Sequence, residues 1–160
     1  SCTRIIAVDI NGERLETAAD LGATHTINPD ESEDIVGAVR DITDGGADYS
    51  LETTAVPEVL RQAVDCTRIP GECGLIGAAP AGTEVSLDMH TFHFGHKLRG
   101  IIEGDAVPEL FIPTLLDLYK QGRFPFDEIV THYDFADIHR AIHDAEEGHT
   151  IKPVLDVSEP

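Results

Sequence analysis

The sequence predicts an open α/β fold in which parallel strands alternate with helices, and three observations carry that expectation. Short apolar runs alternate with stretches of helical period from Ile5 to Ile102. The run Ile5-Ile6-Ala7-Val8 is continuous rather than alternating, as in a strand buried on both faces of a parallel sheet. The chain has 160 residues, 41% of them hydrophobic and 26% charged, which is enough to bury a core. Strand-helix alternation of this kind implies parallel strands joined by right-handed crossovers.

The elements follow in order. After Asp9, Asn11 can cap a helix over Glu13 to Leu21 whose Leu15, Ala18 and Ala19 share a face, and Gly22 supplies a left-handed stop. His25 to Ile27 is a short strand. Pro29 and Asp30 open a second helix with Ile35, Ala38, Val39 and Ile42 on one side, closed by Gly45-Gly46. Asp48 to Glu52 reads as a strand, and Val59, Leu60, Ala63 and Val64 mark a third helix. Gly71 and Gly74 bracket a turn before a strand at Leu75-Ile76-Gly77-Ala78, and Leu98 to Ile102 is the last strand of the sheet.

Beyond Glu103 the pattern changes, so the chain divides into residues 1–102, a dinucleotide-binding type of unit, and a helical carboxyl-terminal segment, 103–160. A helix there either starts at Pro113 or kinks at it before running through Leu118 and Tyr119 to Gly122. A further helix, capped by Asp134, carries Ile138, Ala141, Ile142 and Ala145 on one face. Ile151 to Val157, interrupted by Pro153, suits an edge strand.

Composition removes whole classes of partner. The formal net charge is -19, whereas nucleic acids and anionic membranes both require a positive surface. No apolar run approaches the ~20 residues of a bilayer helix, and the start of the chain lacks a secretory pattern. The three cysteines, Cys2, Cys66 and Cys73, lack the spacing of a zinc ribbon or redox pair, which fits buried free thiols and a cytoplasmic location. The acidity also raises the hypothesis of a salt-rich cytoplasm, where self-repulsion is screened.

Asp9 is the sharpest single residue. An acid ending the second strand of a dinucleotide-binding unit can accept both ribose hydroxyls of adenosine, and its charge repels a 2'-phosphate, favouring NAD over NADP. The ordinary alternative is a turn residue before a helix. The glycine-rich phosphate turn lies ~20 residues upstream of such an acid. Only eight residues precede Asp9, so the first strand and its turn are not in this sequence.

The stretches Arg4 to Asn11, Leu21-Gly22-Ala23-Thr24 with Ile27-Asn28-Pro29, and Gly45 to Glu52 resemble, in order and spacing, the zinc-dependent medium-chain alcohol dehydrogenases. Leu75-Ile76-Gly77, Lys97-Leu98-Arg99-Gly100 and Ile151-Lys152 continue that resemblance over almost the whole chain. Arg99 to Asp105, Leu118-Tyr119 and Gly122 to Asp127 resemble the aryl or benzyl alcohol dehydrogenase subgroup. The resemblance implies a Rossmann-type doubly wound parallel sheet lacking its first strand, the carboxyl-terminal portion of an enzyme that passes a hydride from an aromatic or small primary alcohol to NAD.

Carried onto this chain, the resemblance places Asp9 on the adenosine ribose with Arg14 beside it, and Thr53 and Thr54 next to the adenine. It places Ile76, Gly77 and Ala78 along the nicotinamide, with Ile101 and Ile102 facing the same ring. Lys152 falls where the family holds the pyrophosphate with a basic residue. The family's zinc ligands and proton relay all lie upstream, so no catalytic or metal residue maps here. Zinc is expected in the parent enzyme and not in this chain, which alone should not turn over alcohol.

Two alternatives stay in view. His90, His93 and His96 are spaced by three, and His139 and His143 by four, so pairs could share a metal if each set lay on a helix. Solvent-facing or capping histidines are the default. The chain could also be a non-catalytic binding or assembly module. The absent first strand is central in the order 3-2-1-4-5-6, so its loss leaves unpaired backbone that another chain could fill. Family members dimerise through the last strand, here Leu98 to Ile102, which makes a homo-oligomer plausible. The partners expected are NAD and a small alcohol or aldehyde, with no nucleic acid and no membrane.

Overall fold

The computed structural model describes residues 2–157. It falls into two compact units, Ser1–Asp105 and Ala106–Pro160, each considered by itself.

In the first unit β1 (Ile6–Val8) runs into α1 (Gly12–Asp20), whose cap is Asn11, with its side chain accepting from the Arg14 N–H. Strand β2 (His25–Ile27) then pairs parallel to β1, Ile6 opposite His25 and Val8 opposite Ile27. Helix α2 (Ile35–Thr43) begins later than the sequence predicts. Asn28 folds the chain at Pro29 and Asp30 into a turn, with its Oδ1 accepting from Asp30 N and its carbonyl from Glu31 N. Asp34 supplies the cap, its Oδ1 2.8 Å from Gly37 N. Asp44 ends the helix in the left-handed region, at φ 60°, ahead of Gly45-Gly46.

Next come β3 (Ala47–Glu52), α3 (Pro57–Asp65) with Pro57 in its first turn, and β4 (Thr67–Leu75). Here the structure corrects the sequence reading. Gly71 and Gly74 lie inside β4 instead of bracketing a turn before it. Between Ala47/Thr67 and Tyr49/Glu72 the register slips, because β4 takes more residues than β3 to cover the same step. That bulge hides the strand's pattern from a periodicity argument. Leu75 is its last residue, since the Ile76 and Gly77 N–H groups both turn to the single Glu52 carbonyl.

A five-residue helix, α4 (Met89–His93), precedes β5 (Lys97–Gly100), which ends before Ile101 and Ile102 rather than including them. The strands form two parallel pieces, β1-β2 and β3-β4-β5. Helix α2 links them through an apolar cluster of Ile27, Val39 and Cys66, with Ile6, Ile42 and Ala47 packed on it. A second cluster, Leu60, Val64 and Cys73 with Leu75, Phe92 and Leu98, seats α3 on the three-stranded piece. Among the described residues no backbone ladder joins the β1-β2 piece to the β3-β4-β5 piece.

In the second unit α5 (Pro108–Lys120) starts at Pro108, and Pro113 lies within it. Proline can offer no N–H to the Glu109 carbonyl one turn earlier, yet the helix continues past it. Strand β6 (Val130–Asp134) carries no clean alternation in sequence, and it pairs parallel with β7 (Lys152–Asp156). The segment expected to be helical therefore also holds a strand pair. Asp134 ends that strand and does not cap α6 (Ile138–Glu146). A 3-10 turn at Phe135–Asp137 intervenes, and Asp137 takes the cap position without a side-chain bond. The Tyr133 hydroxyl donates to Asp144 Oδ2 at 2.9 Å, tying β6 to α6.

Candidate functional site

In a parallel sheet the carboxyl ends of all strands open on one side, and ligands of this architecture bind there. Glu52, Leu75 and Gly100 stand in register across β3, β4 and β5. The next residues, Thr53, Ile76 and Ile101, therefore form one row along the sheet's carboxyl edge. The Ile101 N–H still reaches the Leu75 carbonyl at 2.9 Å, which holds that row together.

Ile101 lies back over the sheet. A Cβ on Gly74 would fall 2.6 Å from Ile101 Cδ1 and 2.8 Å from Leu51 Cδ2, so the glycine leaves room for both side chains. Ile76, Ile102 and Thr53 are exposed, and so are Thr54 and Ala78, while Gly77 is half-buried. Ile102 is 80% exposed, a large apolar side chain at the mouth of this edge.

Asp9 follows the last residue of β1, the matching end of the other sheet piece, and is half-buried. Its Oδ1 accepts from the Asn11 N–H at 2.8 Å, the bond of a turn-forming aspartate, and this same bond orients the carboxyl group. Arg14, in the first turns of α1, has a buried Nε without a hydrogen-bond partner among the described residues. A buried guanidinium N–H normally finds an acceptor, so this atom fits an anionic or hydroxyl-bearing ligand at that end of the sheet. Lys152 opens β7 in the second unit and is exposed.

One residue outside the sequence-predicted set dominates the site. Glu52 is 1% exposed, and its carboxylate accepts from Thr54 N, Thr54 Oγ1 and Ala55 N. A strand-end Glu followed by Thr-Thr carried a signal, because short polar residues after a carboxylate are what a side-chain-capped turn needs.

The histidines spaced by three do not share one helix. Helix α4 holds His90 and His93, both exposed, while His96 lies beyond it and is buried. No group of three or more His, Cys, Asp or Glu among the described residues comes close enough to hold a metal ion, so the residues present do not fit a zinc site. Nor is any described helix long and apolar enough to cross a membrane.

Parallel strands joined through helices, with their carboxyl ends along one edge, make this an α/β unit of the doubly wound type. The chain belongs to the zinc-binding dehydrogenase family, whose sequence model matches residues 1–121. It is 40% identical to geraniol dehydrogenase from Castellaniella defragrans over 95% of this chain and 41% of that protein. It resembles the crystal structure of benzyl alcohol dehydrogenase from Acinetobacter calcoaceticus with a TM-score of 0.95 and 43% identity, over 99% of this chain and 44% of that one. An alcohol dehydrogenase zinc-binding domain protein from Burkholderia ambifaria gives a TM-score of 0.95 and 47% identity, over 98% and 42% of the two chains. The chain thus spans about two fifths of the length of these relatives.

Proposed function

We propose that this chain is the NAD-binding portion of a zinc-dependent alcohol dehydrogenase that oxidises an aromatic or small primary alcohol to its aldehyde. The observation that carries the reading is the in-register row at the ends of β3, β4 and β5, with Asp9 directly after β1 on the other sheet piece. Asp9 takes the two ribose hydroxyls, with Arg14 beside it. Thr53 and Thr54 flank the adenine, and Ile76, Gly77, Ala78, Ile101 and Ile102 line the nicotinamide and exclude water from its face. Lys152 meets the pyrophosphate. When bound, the nicotinamide supplies the hydride acceptor.

Zinc chemistry belongs to the parent enzyme and is assigned to no residue of this chain, which by itself is catalytically silent. The aromatic preference is supported by the likeness to a benzyl alcohol dehydrogenase and by the subgroup pattern from Arg99 to Asp127. Buried free thiols at Cys66 and Cys73 fit a reducing cytoplasm.

Fluorescence titration with NADH tests the reading, and Asp9→Ala should raise the dissociation constant about tenfold or more by removing a charge-assisted pair of bonds. Unchanged affinity in the substituted chain would remove Asp9 from the site. A second reading, a non-catalytic assembly module, is favoured by one observation: β5 is the last strand of its sheet piece and leaves an edge open. A folded sample that dimerises through Lys97–Gly100 but shows no NADH response would put that reading first.

A further inference from the structure

Glu52 has an unusual environment for a carboxylate. It is among the most deeply buried side chains of the described residues, in the company of Val64 and Cys73. No Lys, Arg or His is among its ion-pair or hydrogen-bond partners in the described residues. What compensates it is the loop that follows. Thr54 N and Thr54 Oγ1 both donate to Oε1 at 2.5 Å, and Ala55 N lies 3.0 Å from Oε1 and 3.2 Å from Oε2. The Thr54 hydroxyl oxygen in turn accepts from Val56 N at 3.1 Å, just ahead of α3.

The same residue holds the neighbouring strand end through its backbone. Its carbonyl accepts from Ile76 N at 2.8 Å and Gly77 N at 3.1 Å. The two segments touch at Gly77, where a Cβ would overlap the Ala55 nitrogen and come within 2.7 Å of Glu52 Oε2. Ala55 sits at φ 63°, a left-handed conformation that a residue with a Cβ keeps only when its surroundings enforce it. The carboxylate anchored on the Ala55 N–H is that enforcement.

We propose that Glu52 is a positioning residue for cofactor binding. Its side chain fixes the Thr53–Val56 loop, its carbonyl fixes Ile76 and Gly77, and one residue thereby sets the distance between two walls of the crevice. The role rests on the reading of Thr53, Thr54 and Ile76 to Ala78 as cofactor-lining. Glu52 itself need not touch the ligand.

The test compares Glu52→Gln and Glu52→Ala with Val39→Ala, a control in the separate cluster with Ile27 and Cys66 that lowers stability away from the loop. Two readouts are taken on each folded sample: amide hydrogen exchange at residues 54 and 55, and the NADH dissociation constant. A glutamine keeps the shape and the Oε1 acceptor, so it should preserve protection at Thr54; at Ala55 it keeps the 3.0 Å bond to Oε1 but puts an N–H donor where Oε2 accepted at 3.2 Å, so exchange there should quicken only a few-fold. Alanine should speed exchange at both amides by about tenfold, as for loss of a bond to a charged acceptor, and weaken NADH by a similar factor. Val39→Ala should move neither readout selectively. Exchange at Thr54 and Ala55 unchanged in Glu52→Ala, or NADH weakened equally by Glu52→Ala and Val39→Ala, overturns the proposal.

If Glu52→Ala does not fold, the glutamine variant decides alone, and exchange at Ala55 no faster than in the unsubstituted chain counts against the latch. If the unsubstituted chain ignores NADH while the amides respond as described, the cofactor reading falls and the loop latch stands.

Discussion

At the residue scale, the two buried thiols make the chain sensitive to alkali. Burial pushes the Cys66 thiol up, and it pushes the Cys73 thiol up as well. A thiol free in the unfolded chain ionises near pH ~8.5. A raised folded value means that the folded state keeps its proton where the unfolded state has lost it. The stabilisation is therefore complete below the unfolded value and disappears as pH climbs through the folded one. The melting temperature should fall between pH 7 and pH 10, and Cys73→Ala should flatten that fall; an equally steep profile in the variant would remove Cys73 as a cause. Cys73, fully buried between Leu60 and Val64, was readable as an inert core thiol from its lack of partner spacing. The importance of Glu52 was not readable, because burial of a carboxylate depends on which loop folds over it.

At the element scale, caps separate helices whose starts are locally coded from those that are not. Asn11 and Asp34 each accept an N–H from the first turn, whereas Asp137 accepts none. Asp34→Ala should therefore cost about 1 kcal/mol and lower the melting temperature by about 3 °C. Asp137→Ala should leave the melting curve within error, and a calorimetric scan of both variants checks the contrast. Equal losses would mean that Asp137 contributes through something other than capping.

The same distinction explains which elements the sequence announced. Helix α1, with Asn11 before it and Gly22 after it, and β2 at His25–Ile27 were legible from local signals. Strand β6 was not, because Val-Thr-His-Tyr-Asp lacks a clean alternation and becomes a strand only by pairing with β7. Strand β4 was misplaced because its bulge breaks the periodicity on which the reading relied.

At the scale of the whole molecule, charge is the dominant feature. With 30 acidic residues against 11 basic ones, most carboxylates have no cation to meet. The few ion pairs among the described residues, such as Arg61–Asp65 and Lys120–Asp117, are largely exposed and contribute little singly. Repulsion then acts on the folded state over a range set by the Debye length, ~10 Å at 0.1 M salt and ~3 Å at 1 M. Raising sodium chloride from 0.1 M to 1 M should increase the melting temperature by several degrees. A melting temperature indifferent to salt would contradict both the repulsion argument and the hypothesis of a salt-rich environment.

Local signals in the chain settle the class of fold, the family and the order of strands and helices from β1 to β4, because those follow from periodicity, caps and short motifs that each act within a few residues. They also expose Asp9 as a residue to watch. What required three-dimensional packing is that Thr53, Ile76 and Ile101 stand in one row, that Gly77 must lack a side chain, and that Glu52 is buried under the loop after β3. These are facts of register and close approach between segments far apart in the chain. Hydrogen bonds across strands fix them, and no local pattern contains that information.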